Sequence, residues 1–126
     1  MVLGRQSFLI HNTPAAPSVA RAYVRQTLSS APREVVDVVA LMVSELATNC
    51  VRYADSDFTM SIEQTSGSVT VDFADDGEDC VTMRRPGPDD PTGRGLRVVD
   101  ELADKWGVRE GLERGGKSVW FTLRLR

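Results

Sequence analysis

Glu45 and Asn49 stand four residues apart in the stretch SELATNCVRYA, residues 44–54. Four residues is about one helical turn, so the two side chains share a face. A carboxylate can take a proton from a hydroxyl, and an amide carbonyl can hold a hard cation such as Mg²⁺, so the pair has the chemistry of a base beside a metal ligand. A solvated Glu and Asn on an ordinary helix would read the same. Further along, DFADDG continues the alternation of Val69, Val71 and Phe73 into Asp75, with Gly77 two positions later. An ionised carboxylate turned toward an apolar layer is costly without a partner, so Asp75 asks for a structural partner or for a ligand that donates hydrogen bonds, such as the amino group of a base. An Asp-Gly turn capping the strand end is the equal alternative. Finally, TGRGLRVVDEL sets Gly93 and Gly95 just before a helix, where exposed N–H groups at the positive helix end suit phosphate and where a simple hinge would also serve. Taken together, the three clusters describe a purine nucleotide site assembled from three places in the chain.

The elements that must position these groups follow from hydrophobic spacing. Residues 6–11, QSFLIH, read as a short strand ending at Pro14 and Pro17. Val19, Ala22, Tyr23 and Leu28 then mark one stripe of a first helix, with Arg21 and Arg25 on another face as an exposed basic patch or a contact for an acidic partner. Ser30 suits an N-cap and Pro32 a first turn, and Val36, Val39, Ala40, Val43, Ala47, Cys50 and Ala54 predict a second helix over about 32–54. Phe58, Met60 and Ile62, then Val69, Val71 and Phe73, alternate as two antiparallel strands about a short turn. The longest irregular stretch, rich in Asp, Gly and Pro, precedes Leu96, where helical spacing returns through Val99, Leu102 and Ala103. DKWGVRE and KSVWFTLRLR supply two last strands. The order β-α-α-β-β-loop-α-β-β predicts an α+β fold, with helices on one face of a mostly antiparallel sheet.

Composition narrows the function classes. At 126 residues and 41% hydrophobic content the chain suits one globular domain, residues 1–126, with a single core. A net charge of -3 gives no general pull toward nucleic acid or an anionic membrane. The opening apolar run is broken by Arg5, Gln6, His11 and Asn12, too short for a secretory core or a membrane span, so a cytoplasmic protein is expected. Cys50 and Cys80 lie thirty positions apart with no CxxC, which reads as two reduced thiols and no zinc site. The glycines make neither a Walker A loop nor a full GxGxxG, since Val98 takes the third glycine position and no βαβ unit surrounds them, so a dinucleotide enzyme is disfavoured.

On these motifs, in this order and separation, the chain resembles the GHKL (Bergerat-fold) ATPases. Within them it is similar to the small anti-sigma-factor serine/threonine kinases of the RsbW type, especially actinobacterial regulators ending in GRGL…WG…GKSVWF. SELATNCVRYA corresponds to the N box, DDG to the G1 box and GRGL to the G2 box. The resemblance covers nearly the whole chain and implies a two-layer α/β sandwich with a mostly antiparallel mixed sheet and three helices on one face. It implies ATP and Mg²⁺ as cofactors, with Asn49 as the Mg²⁺ ligand and Glu45 as general base toward the phosphoacceptor hydroxyl. It further implies Asp75 as the acid that recognises the adenine amino group, Gly77 beside it, and Gly93, Arg94 and Gly95 as the phosphate-side loop. Implied partners are a STAS-type anti-anti-sigma factor and a sigma factor, with no direct nucleic acid or membrane contact; a homodimer is a possible assembly, and Trp106 or Trp120 would line its interface or pack in the core. The chain departs from the G1 pattern at Asp79, which replaces a second glycine, and at Tyr53, where relatives often carry His. The first departure motivates an alternative: a GHKL-fold regulatory module that binds partners with weak or absent catalysis. With His11 as its only histidine, a sensor histidine kinase is not expected.

Overall fold

The computed structural model describes residues 2–53, 56–75, 94–109 and 118–125. Its elements are β1 (Val2–Ile10), α1 (Ala16–Thr27), α2 (Arg33–Tyr53), β2 (Phe58–Thr65), β3 (Ser68–Asp75), α3 (Arg94–Leu102), β4 (Lys105–Arg109) and β5 (Ser118–Arg124). The strands make one five-stranded sheet in the order β1-β2-β3-β5-β4, and each pairing among the described residues is antiparallel. The expected two-layer α+β architecture is the one the chain adopts.

The alternation read from the sequence decides which face of the sheet is dry. Phe58, Met60 and Ile62 of β2, Val69, Val71 and Phe73 of β3, and Val119 and Phe121 of β5 are all fully buried under the helices. Phe58 and Phe73 stack with ring centroids 5.6 Å apart. The α2 stripe of Val36, Val39, Ala40, Val43, Ala47 and Cys50 meets this layer as the spacing predicts, and Ala54 lies outside the described residues.

Two local expectations change. In α1 the buried stripe is Ala16, Ala20, Val24 and Leu28, whereas Val19 is 37% exposed and Ala22 faces solvent. Two alanines on a four-residue ridge let α1 lie close against α2, and that packing outweighs the larger apolar side chain one position away. At the start of α2, the Val36 N–H donates to the Pro32 carbonyl, 3.1 Å. Pro32 thus stands just before the helix, while Ser30 falls in the turn closed by the Ala31 N–H on Leu28, 3.0 Å.

The β2–β3 connection is tied by one hydroxyl. Thr65 Oγ1 accepts hydrogen bonds from the N–H groups of Gly67 (3.2 Å) and Ser68 (3.0 Å), a side-chain turn that fixes the register of the hairpin.

Candidate functional site

α2 carries the two residues singled out first. Leu46, Ala47 and Cys50 are core residues, and Asn49 sits among them at only 5% exposure. A buried amide in an apolar stretch gives up hydration that an alanine would not, so it needs polar company, and Asn49 does have an interaction partner. Glu45, one turn earlier, is half-buried and makes no hydrogen bond or ion pair with another described residue. Both groups offer oxygen, the donor type that suits Mg²⁺.

The neighbours of α2 hold it in place. Arg21 of α1 donates through Nη1 to Ser44 Oγ at 2.6 Å, beside Glu45, and Arg25 pairs with Asp37 at 3.0 Å. The two arginines read as a basic patch therefore link α1 to α2. Thr48 returns its hydroxyl to the Ser44 carbonyl, 2.8 Å, which keeps a polar residue inside the helix without leaving it unpaired.

One positioning residue went unnoticed in the sequence. Asn12, in the turn after β1, donates through Nδ2 to the carbonyls of Cys50 (3.3 Å) and Ser56 (3.0 Å), so it fastens the end of α2 to the start of β2. Its own N–H donates to Asp57 Oδ1 at 2.8 Å, and His11 Nδ1 lies 3.0 Å from Asp57 Oδ2. The backbone N–H of Asn12 first, and the His11 ring second, stabilise the charged carboxylate and hold Asp57 below the usual aspartate range. Its local signal is no more than an Asn two residues before Pro14, at the end of the first strand.

Of the other expected site residues, Asp75 is the last residue of β3, with its Cα opposite Phe58. Arg94 and Gly95 are the first residues of α3, which packs against α2. The structure thus brings two of the three motif-bearing segments into adjacent helices and sets the third at the end of a central strand. Gly77, Gly93 and Asp79 lie outside the described residues. Cys50 is disulfide-bonded, which corrects the expectation of a reduced thiol. Cys80 lies outside the described residues. No helix among the described residues is long and apolar enough to cross a membrane.

With this geometry in view, comparison with known proteins gives a direct result. The profile of the histidine kinase-like ATPase domain matches residues 10–123, and the chain belongs to that family. Comparison with curated proteins finds no match. Among solved structures, the RsbU and RsbW domains of Rv1364c from Mycobacterium tuberculosis superpose with a TM-score of 0.73 at 18% identity, covering 97% of this chain and 32% of that one. The SiaB-SiaC complex from Pseudomonas aeruginosa superposes with a TM-score of 0.56 at 12% identity, covering 98% and 90%. At these identities the likeness is one of fold. The chain spans about a third of the length of the mycobacterial chain that carries the RsbU and RsbW domains.

Proposed function

We propose that this protein binds ATP with Mg²⁺ and transfers phosphate to a serine or threonine of a STAS-type anti-anti-sigma partner, while also holding a sigma factor. The observation that carries the reading is a buried Asn49 one turn beyond a half-buried Glu45 that pairs with no described residue, in a chain of the histidine kinase-like ATPase family. Bound Mg²⁺ would supply charge neutralisation for the phosphate oxygens. In this reading Asn49 offers its amide oxygen to the cation, and Glu45 accepts the proton that leaves the attacking hydroxyl. Asp75 accepts the adenine amino group's hydrogen bond, and Gly77 leaves space for the base. Gly93 and Gly95 direct backbone N–H groups at the phosphates from the start of α3, with Arg94 adding positive charge.

The test is transfer of label from ATP to a candidate STAS protein in the presence of Mg²⁺. The reading expects Glu45→Ala to slow transfer by about 10²–10⁴-fold, the usual contribution of a general base, while leaving the fold intact. Absence of transfer to any such partner, or equal rates for wild type and Glu45→Ala, overturns it.

Asp79, in the position of a second glycine, favours one competing reading: a regulatory module that works by protein contact with little or no catalysis. Calorimetry separates the two. Tight, Mg²⁺-dependent ATP binding that Asn49→Ala weakens supports the kinase, and no heat of binding supports the module.

A further inference from the structure

Asn49 stands at the edge of the least self-sufficient part of α2. In a helix that ends at Tyr53, the carbonyls of residues 50–53 have no intrahelical N–H to accept, so fraying from that end reaches Asn49 next. Asn12 supplies a donor there from outside the helix. Its Nδ2 carries two hydrogens and meets two carbonyls, that of Cys50 at 3.3 Å and that of Ser56 at 3.0 Å. The Cys50 carbonyl lies at the negative end of the helix, where a donor is favoured.

Asn12 is itself held firmly. Ile10, two residues earlier, is buried and lies opposite Phe58 in the sheet, and the Asn12 N–H donates to Asp57 Oδ1 at 2.8 Å. The last turn of α2 is therefore tied to the sheet through Asn12, whereas the earlier part of the helix is tied to α1 through Ser44 and Asp37. Asn49 falls between these two attachments, next to the residue that Asn12 holds.

We infer, resting on the reading of Asn49 as the Mg²⁺ ligand, that Asn12 is a positioning residue for the cation. It acts through the Cys50 carbonyl on the turn that carries Asn49, and not by contact with the metal. Mg²⁺ demands near-octahedral oxygens at about 2.0–2.1 Å, so a small displacement of the Asn49 amide weakens its hold on the cation. Recognition of the base is assigned to Asp75, at the end of β3, and does not pass through this turn. The loss of the Asn12 amide is therefore felt in the Mg²⁺-dependent part of nucleotide affinity and not in the rest.

The test is calorimetric titration of ATP into the full chain with its disulfide intact, once with Mg²⁺ and once with EDTA; the ratio of the two affinities is the Mg²⁺ gain. Asn12→Ala is expected to lower the gain about tenfold, the usual cost of removing a group that orients a metal ligand, and to leave the EDTA affinity unchanged. Asp57→Ala, which frees the Asn12 N–H but keeps its amide, is expected to act in the same direction by less, and it serves where Asn12→Ala does not fold. Thr65→Ala, which loosens the β2–β3 turn, controls for stability alone and should keep the wild-type gain. In an Asn49→Ala background, Asn12→Ala should lower the gain no further, because its route to the cation is gone. An unchanged gain in Asn12→Ala (or in Asp57→Ala where the former does not fold), an equal fall with Mg²⁺ and with EDTA, the same loss in Thr65→Ala, or additive losses in the Asn12/Asn49 double variant each overturns the inference and leaves the reading of Asn49 standing. A wild-type chain with no Mg²⁺ gain, or an Asn49→Ala chain that keeps it, overturns both.

Discussion

The two faces of the central sheet are made by the same strands and do opposite work. On the inner face, Met60, Ile62, Val71, Phe73 and Phe121 are sealed under the helices, and their value is the apolar area they remove from water. On the outer face the alternate residues Ser61, Glu63, Thr70, Asp72, Trp120 and Thr122 stay half-exposed and interact through hydroxyl pairs, one ion pair and one stacked ring. Period-two chemistry therefore gives a single layer two characters: the inner residues hold the sheet to the helices, and the outer ones pair with one another in partial contact with water.

Substitutions on each face test that contrast. Phe73→Ala removes a stacked, fully buried ring and is expected to cost about 3–5 kcal/mol in chemical unfolding. Gly107→Val, on the outer face, should cost about 1–3 kcal/mol, because the new side chain displaces the Trp120 indole; a cost near zero would show that the ring is not held across the edge strand. Asn12→Ala strips the amide that joins the end of α2 to β2, and about 1–2 kcal/mol is expected from denaturant titration. Thr122→Val should stay within about 0.5 kcal/mol, since its hydroxyl partner Thr70 remains partly exposed to water.

A pH titration addresses the corner where the faces meet. Asp57 is held below its ordinary pKa by Asn12 and His11, so the stability it contributes is present above the usual carboxylate range and is lost as pH falls through its lowered value in the folded protein. The difference in unfolding free energy between wild type and Asp57→Asn should therefore shrink steadily in acid. A difference that is flat with pH would remove the ion pair from the account.

Much of the fold was legible because periodicity is a direct consequence of which face is buried. β2, β3, β5 and α2 follow from alternation and from three- and four-residue spacing, and their observed bounds agree to within a few residues. The α1 stripe was misread because small residues that allow close helix approach carry little hydrophobic signal: Ala16 and Ala20 lie inside while Val19 does not. The role of Asn12 was hidden for a different reason, since its partners stand 38 and 44 positions away and no local pattern encodes them. For the candidate site, the motif order identified the family, and Asn49 was legible as a polar residue in an apolar helix. What the sequence could not supply was surroundings. It gave no hint that Arg21 and Arg25 are occupied by Ser44 and Asp37, or that Cys50 is disulfide-bonded.

The side-chain turn at Thr65 has a consequence in time as well as in space. β2 and β3 are joined by two residues, so their pairing is local and closes within microseconds. β1 reaches β2 only after α1 and α2 have been spanned, a closure that must wait for the helices to compact. The β2–β3 hairpin should then be the template on which the rest of the sheet is laid down, and β1 and β4, each held along one edge only, the first strands to exchange their amide hydrogens in the native protein.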